Sequence, residues 1–357
     1  MSAHKVHDLL QTAQAGERLD RDQAMTLYTH AELHELSWAA QAMRNRLHPE
    51  PKVSYVVDRN INYSNICVCG CRFCAFYRAP GHQEGYILTF AELKNKIQEA
   101  IYLGATQILL QGSHHPDLDI GFYEQMLSTI KEAFPDLHVH GFSPPEVMHC
   151  AFLSGLSPAH VLDRLIAAGL DSIPGGGAEI LVDRVRTEIA PNKCSAREWL
   201  EVMGLAHNKG LLTTATMMFG HVETLEDRVD HLLAVRDQQD RTKGFTAFIP
   251  WTFQPDHTAL SARKATSIEY LRLLALSRLV LDNVPNLQVS WVTMGAKIGQ
   301  LGLFFGANDF GSTMIEENVV AASGVSFRMS EDHMRKVIRA AGFAPRQRRM
   351  DYSYIEL

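Results

Sequence analysis

No stretch of this 357-residue chain runs to about 18 apolar residues without charges or several polar groups, so no membrane-spanning helix is expected. Long polar or biased tracts, internal repeats and linkers rich in Gly, Ser and Pro are also missing, which excludes disorder over most of the length. Met1 to Gln14 carries His4, Lys5, His7 and Asp8 and builds no apolar segment, so no secretory signal is expected. Neither charge sign dominates. The 34 Lys and Arg against 40 Asp and Glu leave a formal net charge of −6, which argues against a broad nucleic-acid surface. Cysteine is scarce: six residues cannot make a disulfide scaffold. Four of the six nevertheless fall between Cys67 and Cys74. Without an export signal, that clustering points to a metal site in a reducing compartment, and the expected location is cytoplasmic.

What is present fits a globular protein with a buried core: 46% hydrophobic and 21% charged residues. Residues 1–50 read as an N-terminal helical extension. Asp20 with Gln23 resembles a capping box, apolar residues recur at helical spacing over Ala24–Ala31 and Leu33–Leu47, and Pro49 and Pro51 end the run. From residue 51 to 357 short apolar strands alternate with amphipathic helices. Strands are expected at Val53–Val57, Gln107–Leu110, His138–Phe142, Asp171–Ile173, Leu212–Met218, Ala247–Ile249, Gln288–Val292 and, more weakly, Phe304–Ala307. Helices are expected at Phe90–Tyr102, Gly121–Phe134, Pro158–Ala168, Ala196–Lys209, Leu225–Gln238 and Ile268–Val284. Eight strand–helix units over about 300 residues predict an α/β fold, a parallel (β/α)8 barrel in preference to an open doubly wound sheet. Each strand is followed by a tail marked by Cys, Gly, Pro or polar residues, among them Gln111-Gly112-Ser113, Ser143-Pro144-Pro145-Glu146 and Gly220-His221-Val222-Glu223. In a barrel these tails share one rim, where active sites are built.

Cys67, Cys71 and Cys74 form a C-x3-C-x2-C triplet in the first of those tails. Thiolates are soft ligands, and a short loop can turn three of them toward one centre. Structural zinc takes four closed ligands, so three favour a centre with one position open, such as a [4Fe-4S] cluster. The alternative is zinc completed by Cys69, His82 or His114. Cys69 suits the spacing poorly and reads as a spectator, and Cys150 and Cys194 as ordinary buried cysteines.

This triplet, with Phe73 before its last cysteine, resembles the signature of radical S-adenosylmethionine enzymes. The resemblance runs from about residue 50 to the end. Cys74-Ala75-Phe76-Tyr77-Arg78, Asp171 to Glu179 and Thr214 to Thr224 resemble the branch that makes menaquinone through futalosine, together with the related deazaflavin-forming synthases. Tyr55 to Tyr63, Phe248 to Pro255 and Phe305 to Thr313 are most similar to the dehypoxanthine futalosine cyclases, with aminofutalosine synthases the alternative. The resemblance implies a [4Fe-4S] cluster, S-adenosylmethionine consumed as cosubstrate, and a 5′-deoxyadenosyl radical that takes hydrogen from the substrate ribose. The ribose radical then adds to the benzoate ring. It also implies dehypoxanthine futalosine as the small-molecule partner and a low-potential electron donor such as flavodoxin or ferredoxin, with no nucleic acid and no membrane.

Within that resemblance the cofactor candidates are Phe73, Phe76, Tyr77, Gly112, Ser143, Gly176, Glu179 and Arg186. Gly112 stands where the superfamily usually has a Gly-Gly-Glu stretch, and only its backbone can be proposed. Pro174-Gly175-Gly176-Gly177 lacks side chains and so allows close backbone approach. Glu179 is a candidate for the ribose hydroxyls or amino group of S-adenosylmethionine, against a helix N-terminal charge. Arg184, Arg186 and Lys193 are candidates for a carboxylate, against solvated helix charges. Loss of the ring proton needs a base, for which His221, Glu223 and Asp309 are the candidates. Trp251, Phe253 and Trp291 either stack on the substrate ring or pack. His138 and His140 read as a satisfied core pair, and His114-His115 with Asp117 and Asp119 as loop chemistry rather than a second metal. The basic tail Arg346, Arg348 and Arg349 reads most simply as a solvated end, with closure over the barrel the alternative.

Overall fold

The computed structural model describes residues 3–356. Helices α1 (Ala3–Ala15), α2 (Arg21–His30) and α3 (Leu33–Leu47) come first. Asp20 caps α2 through the reciprocal bonds with Gln23 that the sequence predicts. Next come β1 (Lys52–Val56), β2 (Asp58–Asn62), α4 (Phe90–Tyr102), β3 (Gln107–Gln111), α5 (Ile120–Ala133), β4 (His138–Gly141), α6 (Pro144–Ser154), α7 (Pro158–Ala168), β5 (Ser172–Ile173), α8 (Asp183–Ile189) and α9 (Ala196–Asn208). The chain continues through β6 (Leu212–Phe219), α10 (Leu225–Thr242), β7 (Phe245–Thr252), α11 (Ser267–Val280), β8 (Asn286–Leu287), α12 (Trp291–Gly302), β9 (Asp309–Ser312), α13 (Glu331–Ala340) and β10 (Ala344–Gln347). Helices α2 and α3 lie against α10 and α11, and α1 packs on α2 and α3. Arg21 pairs with Asp230, Arg228 donates to the Tyr28 hydroxyl, and Arg272 donates to Ala31 O.

Strands β2 to β8 are parallel neighbours in chain order, and β1 lies between β10 and β9 in a second parallel set. The two sets close into a ring. The chain runs from β1 into β2 across Val57, Asp309 of β9 bridges to Gln288 just beyond β8, and the β9 segment continues up the edge of β1 and β2 through Thr313 N to Val56 O and Ile315 N to Asp58 O. The fold is therefore the parallel α/β barrel that the strand–helix alternation predicts. Period-2 alternation places Asp58 and Asn60 of β2, and Gln107, Leu109 and Gln111 of β3, on the inner wall of a cavity. The intervening Ile61, Ile108 and Leu110 are fully buried toward the helices.

Two expected strands move. Gln288–Val292 is not a strand: the strand ends at Leu287, and Trp291 opens α12. An apolar run of this kind suits a buried helix as well as a strand; here the helical turn opened by Trp291 breaks at Gly295 (φ +79°) before the helix resumes, which brings Gly299 and Gly302 back against Trp291 and Val289. A Cβ on Gly299 would meet Trp291 Cβ at 3.0 Å, and one on Gly302 would meet Val289 Cγ1 at 2.7 Å. Phe304–Ala307 is the turn that ends α12, with Gly306 at φ +91°, and the strand is the more polar Asp309–Ser312. The basic tail is not solvated at Arg348, which is 3% exposed and reaches inside the barrel to pair with the fully buried Asp309.

Candidate functional site

The cysteine loop leaves the top of β2 and is held by its neighbours' backbone. Val68 N donates to His114 O, Arg72 N to Ile189 O, and Asn192 Nδ2 to Cys69 O. Cys71 is buried, and Cys67 and Cys74 are half-buried. Cys69 N–H points at Cys67 Sγ (3.4 Å), the kind of bond that supports a thiolate ligand, and Cys69 Sγ lies 3.3 Å from Cys71 Sγ. The Cys69 thiol, and with it Lys193, pulls the Cys71 thiol down against the cost of burial. Burial pushes Cys67 up and Cys74 up to about 11. Among the described residues no three His, Cys, Asp or Glu side chains converge to hold one metal ion. The His114 ring stacks on that of His149, with centroids 4.8 Å apart.

Lys193 is the buried cation beside these sulfurs. Burial opposes its charge, but Cys71 and Glu179 outweigh that cost and keep it protonated. Its Nζ donates to Glu179 Oε1 at 2.8 Å and sits 5.0 Å from the Phe73 ring centroid. Glu179 is itself held at φ +44°, a region side chains rarely adopt, which costs on the order of 1–3 kcal/mol.

Arg186 and Arg184 leave the set of carboxylate candidates. Arg186 is buried and spends its guanidinium on the carbonyls of Gly177, Ala178 and Cys194, which clamps the glycine loop. Arg184 is half-exposed and pairs with Asp227. Gly175 needs its missing side chain, because a Cβ there would lie 2.8 Å from the Ala215 backbone, and Gly176 turns its open side to Gln111 Nε2.

Sequence reasoning missed Glu146, whose role is visible only once three rim tails meet. Its Oε1 accepts from Gly112 N (2.9 Å) and the Tyr63 hydroxyl (2.8 Å), and its Oε2 from Ser143 Oγ (2.6 Å). Burial pushes this carboxyl up while the three donors pull it back. Gly112 is also required by space, since a Cβ would meet the Tyr63 ring at 2.2 Å, and that ring is packed against Tyr123 and Phe142. Gly112→Ala is therefore expected to lose about 1–3 kcal/mol in urea unfolding, as overpacked cores do.

The inner cavity measures about 270 Å³ and runs from Asp58 and Gln107 at the floor to Gly175, Gly176, Gly177 and Glu179 at the rim. A smaller pocket of about 40 Å³ beside Phe73 and Cys74 shares the Trp251, Val319 and Val320 walls with it, so the cysteine loop opens toward the cavity. Phe253 lines the smaller pocket, and Trp251 and Trp291 line the larger. Phe76 and Tyr77 are half-buried in the loop and line neither. The structure places Phe73 and Cys74 on the smaller pocket and Gly176 and Glu179 on the larger, and Lys193 joins the two by pairing with Glu179 and approaching the Phe73 ring.

It does not bring the expected bases there. His221 and Glu223 have no exposed side-chain surface and tie the turn after β6. Glu223 accepts from Gly220 N, His221 N and Arg228, and His221 Nε2 bonds to Met218 O. Burial holds His221 below its ordinary value. Asp309 is occupied by Arg348, Ser54 and Gly311 N. The three carboxylates on the cavity wall are Asp58, Glu179 and Glu317. Asp58 escaped sequence reasoning because Asp58-Arg59-Asn60-Ile61-Asn62 does not read as an apolar strand.

Residues 61–235 match the radical SAM superfamily, and residues 242–357 match the CofH/MqnC C-terminal region. A cyclic dehypoxanthine futalosine synthase of Halalkalibacterium halodurans is 47% identical over 98% of this chain and 95% of its own. One of Streptomyces coelicolor is 44% identical over 97% and 88%. A 5-amino-6-(D-ribitylamino)uracil–L-tyrosine 4-hydroxyphenyl transferase of Methanococcoides burtonii is 41% identical over 83% and 85%. In fold, the chain is similar to a crystal structure of methylornithine synthase, with a TM-score of 0.73 at 17% identity over 94% of this chain and 97% of that one.

Proposed function

This chain belongs to the radical S-adenosylmethionine superfamily, and from that premise we propose that it closes dehypoxanthine futalosine to its cyclic product in menaquinone biosynthesis. The observation that carries this reading is near full-length identity of 47% and 44% to two proteins named for that synthesis. The C-terminal match, which covers β9, β10 and part of the cavity wall, supports the same branch.

The family implies an iron–sulfur cluster and S-adenosylmethionine. We assign the cluster to Cys67, Cys71 and Cys74, whose donor chemistry fits it: sulfurs in one loop, a backbone N–H on Cys67 Sγ, and a buried ammonium beside Cys71. When bound, the cluster and S-adenosylmethionine supply a carbon radical able to take hydrogen from the substrate ribose. The chain's own residues do the rest. Lys193 stays charged beside the sulfurs and orients Glu179, which together offer a cation and a carboxylate to the amino-acid and ribose groups of the cosubstrate. Glu146 holds Gly112 and Ser143 in place at the same end. The barrel wall, with Trp251 and Trp291 among its lining, keeps bulk water from the reacting carbon. Electrons enter from a low-potential donor of the flavodoxin or ferredoxin kind. Among the described residues no helix is long and apolar enough to cross a membrane.

An anaerobic assay with dehypoxanthine futalosine and S-adenosylmethionine, read by mass, tests the proposal. The expected outcome is 5′-deoxyadenosine together with a product two hydrogens lighter than the substrate. A chain that leaves this substrate unchanged, yet consumes tyrosine with the ribitylaminouracil or makes aminofutalosine, is a different enzyme of the branch.

A further inference from the structure

Ring closure leaves the attacked aromatic carbon with one hydrogen too many, so a base must reach that ring inside the cavity. Besides the three wall carboxylates, the only imidazole lining the cavity among the described residues is His140. Glu179 is paired with Lys193 at the cysteine end. Glu317 is spent on backbone, accepting from Val319, Val320 and Ala321 N–H. His140 Nδ1 bonds to Ser172 Oγ at 2.7 Å, and burial, with His138 and Arg348 adding to it, makes an imidazolium there unfavourable.

Asp58 differs from all of these. It opens β2 at the cavity floor and is 4% exposed. One oxygen accepts from Ser312 Oγ and the other from Gln107 Nε2 at 2.9 Å. One bond to each oxygen fixes the carboxylate plane and leaves lone pairs on both. Burial favours its protonated form, the opposite of its effect on His140. Beside it Gln107 is 3% exposed, lines the same cavity, and has an Oε1 without any hydrogen-bond partner. A buried acceptor left open on a cavity wall is matched when a ligand's donor arrives there.

We propose that Asp58 is the catalytic base that takes the proton from the benzoate ring after the ribose radical has added to it, an assignment that rests on the cyclase reading. The new C–C bond turns the ring into a cyclohexadienyl radical. The C–H bond at the attacked carbon breaks, its proton passes to an Asp58 oxygen, and its electron pair rejoins the ring. One electron leaves to a one-electron acceptor of the iron–sulfur class, which restores six π electrons. The aromatic end of the substrate then lies at the floor and its ribose toward the cysteine end.

The test uses the anaerobically reconstituted enzyme and measures 5′-deoxyadenosine and cyclised product by mass. Wild-type protein is expected to give about one product per 5′-deoxyadenosine. In Asp58→Asn, product is expected to fall by about 100-fold or more, in line with loss of a general base, while 5′-deoxyadenosine still forms. The assignment is overturned if product stays within about threefold of wild type, or if both products fall together while the cluster and its response to S-adenosylmethionine are intact. Should Asp58→Asn fail to hold its cluster, Asp58→Ala with added formate carries the test. Formate is expected to restore product about tenfold, and no restoration overturns the assignment. Wild-type protein that makes no cyclised product sinks the cyclase reading instead.

Discussion

Cys71→Ala is expected to abolish both 5′-deoxyadenosine and cyclised product, whereas Cys69→Ala keeps substantial activity. The contrast is sharp because the two sulfurs are neighbours, 3.3 Å apart. Cys71 belongs to the C-x3-C-x2-C triplet and lies next to a protonated Lys193, whereas Cys69 stands outside that spacing. On the proposed assignment, removing Cys71 deletes one of three ligands and with it the radical source, which an assay reads as loss below detection. Removing Cys69 takes away a thiol that neighbours a ligand. Iron and sulfide content alongside the two products checks the pair, and equal loss in both variants would mean that Cys69 belongs to the ligand set.

The second large effect concerns stability. Asp309→Ala leaves the fully buried Arg348 guanidinium without its carboxylate, whose two oxygens now accept from Arg348 Nε (2.5 Å) and Nη2 (3.1 Å). Burial opposes that charge, and Asp309 is the first group that sustains it. Breaking such a pair from one side costs about 3–5 kcal/mol. Removing both partners, as in Asp309→Ala with Arg348→Met, is expected to cost clearly less than the sum of the single changes. Urea unfolding of the two single variants and the double variant measures the coupling. A base at Asp309 predicts the reverse: lost turnover with unfolding nearly unchanged.

The pair also shows what was and was not legible in the amino-acid order. The cysteine triplet stood out because local spacing alone specifies it, and the barrel stood out because apolar strands and amphipathic helices alternate from β3 to β7. The staves that close the ring were harder to read. Asp58-Arg59-Asn60-Ile61-Asn62 and Asp309-Phe310-Gly311-Ser312 carry polar residues on the faces turned inward, so hydrophobic periodicity reports them as loops. For Arg348 the sequence leaves a solvated end and closure over the barrel both open, because pairing with Asp309, 39 residues earlier, is invisible until β10 joins β1. His221 and Glu223 were placed on the rim correctly in sequence, but local capping of their own turn absorbs them. Glu146 and Lys193 act through partners from distant tails, and no spacing rule announces that.

The most direct test of the central claim is electron paramagnetic resonance of the anaerobically reconstituted, reduced protein, recorded before and after adding S-adenosylmethionine. Three cysteine ligands and one open iron predict a [4Fe-4S]+ signal that changes shape when the cosubstrate is added. A signal indifferent to S-adenosylmethionine, or a colourless protein carrying one zinc, would contradict it.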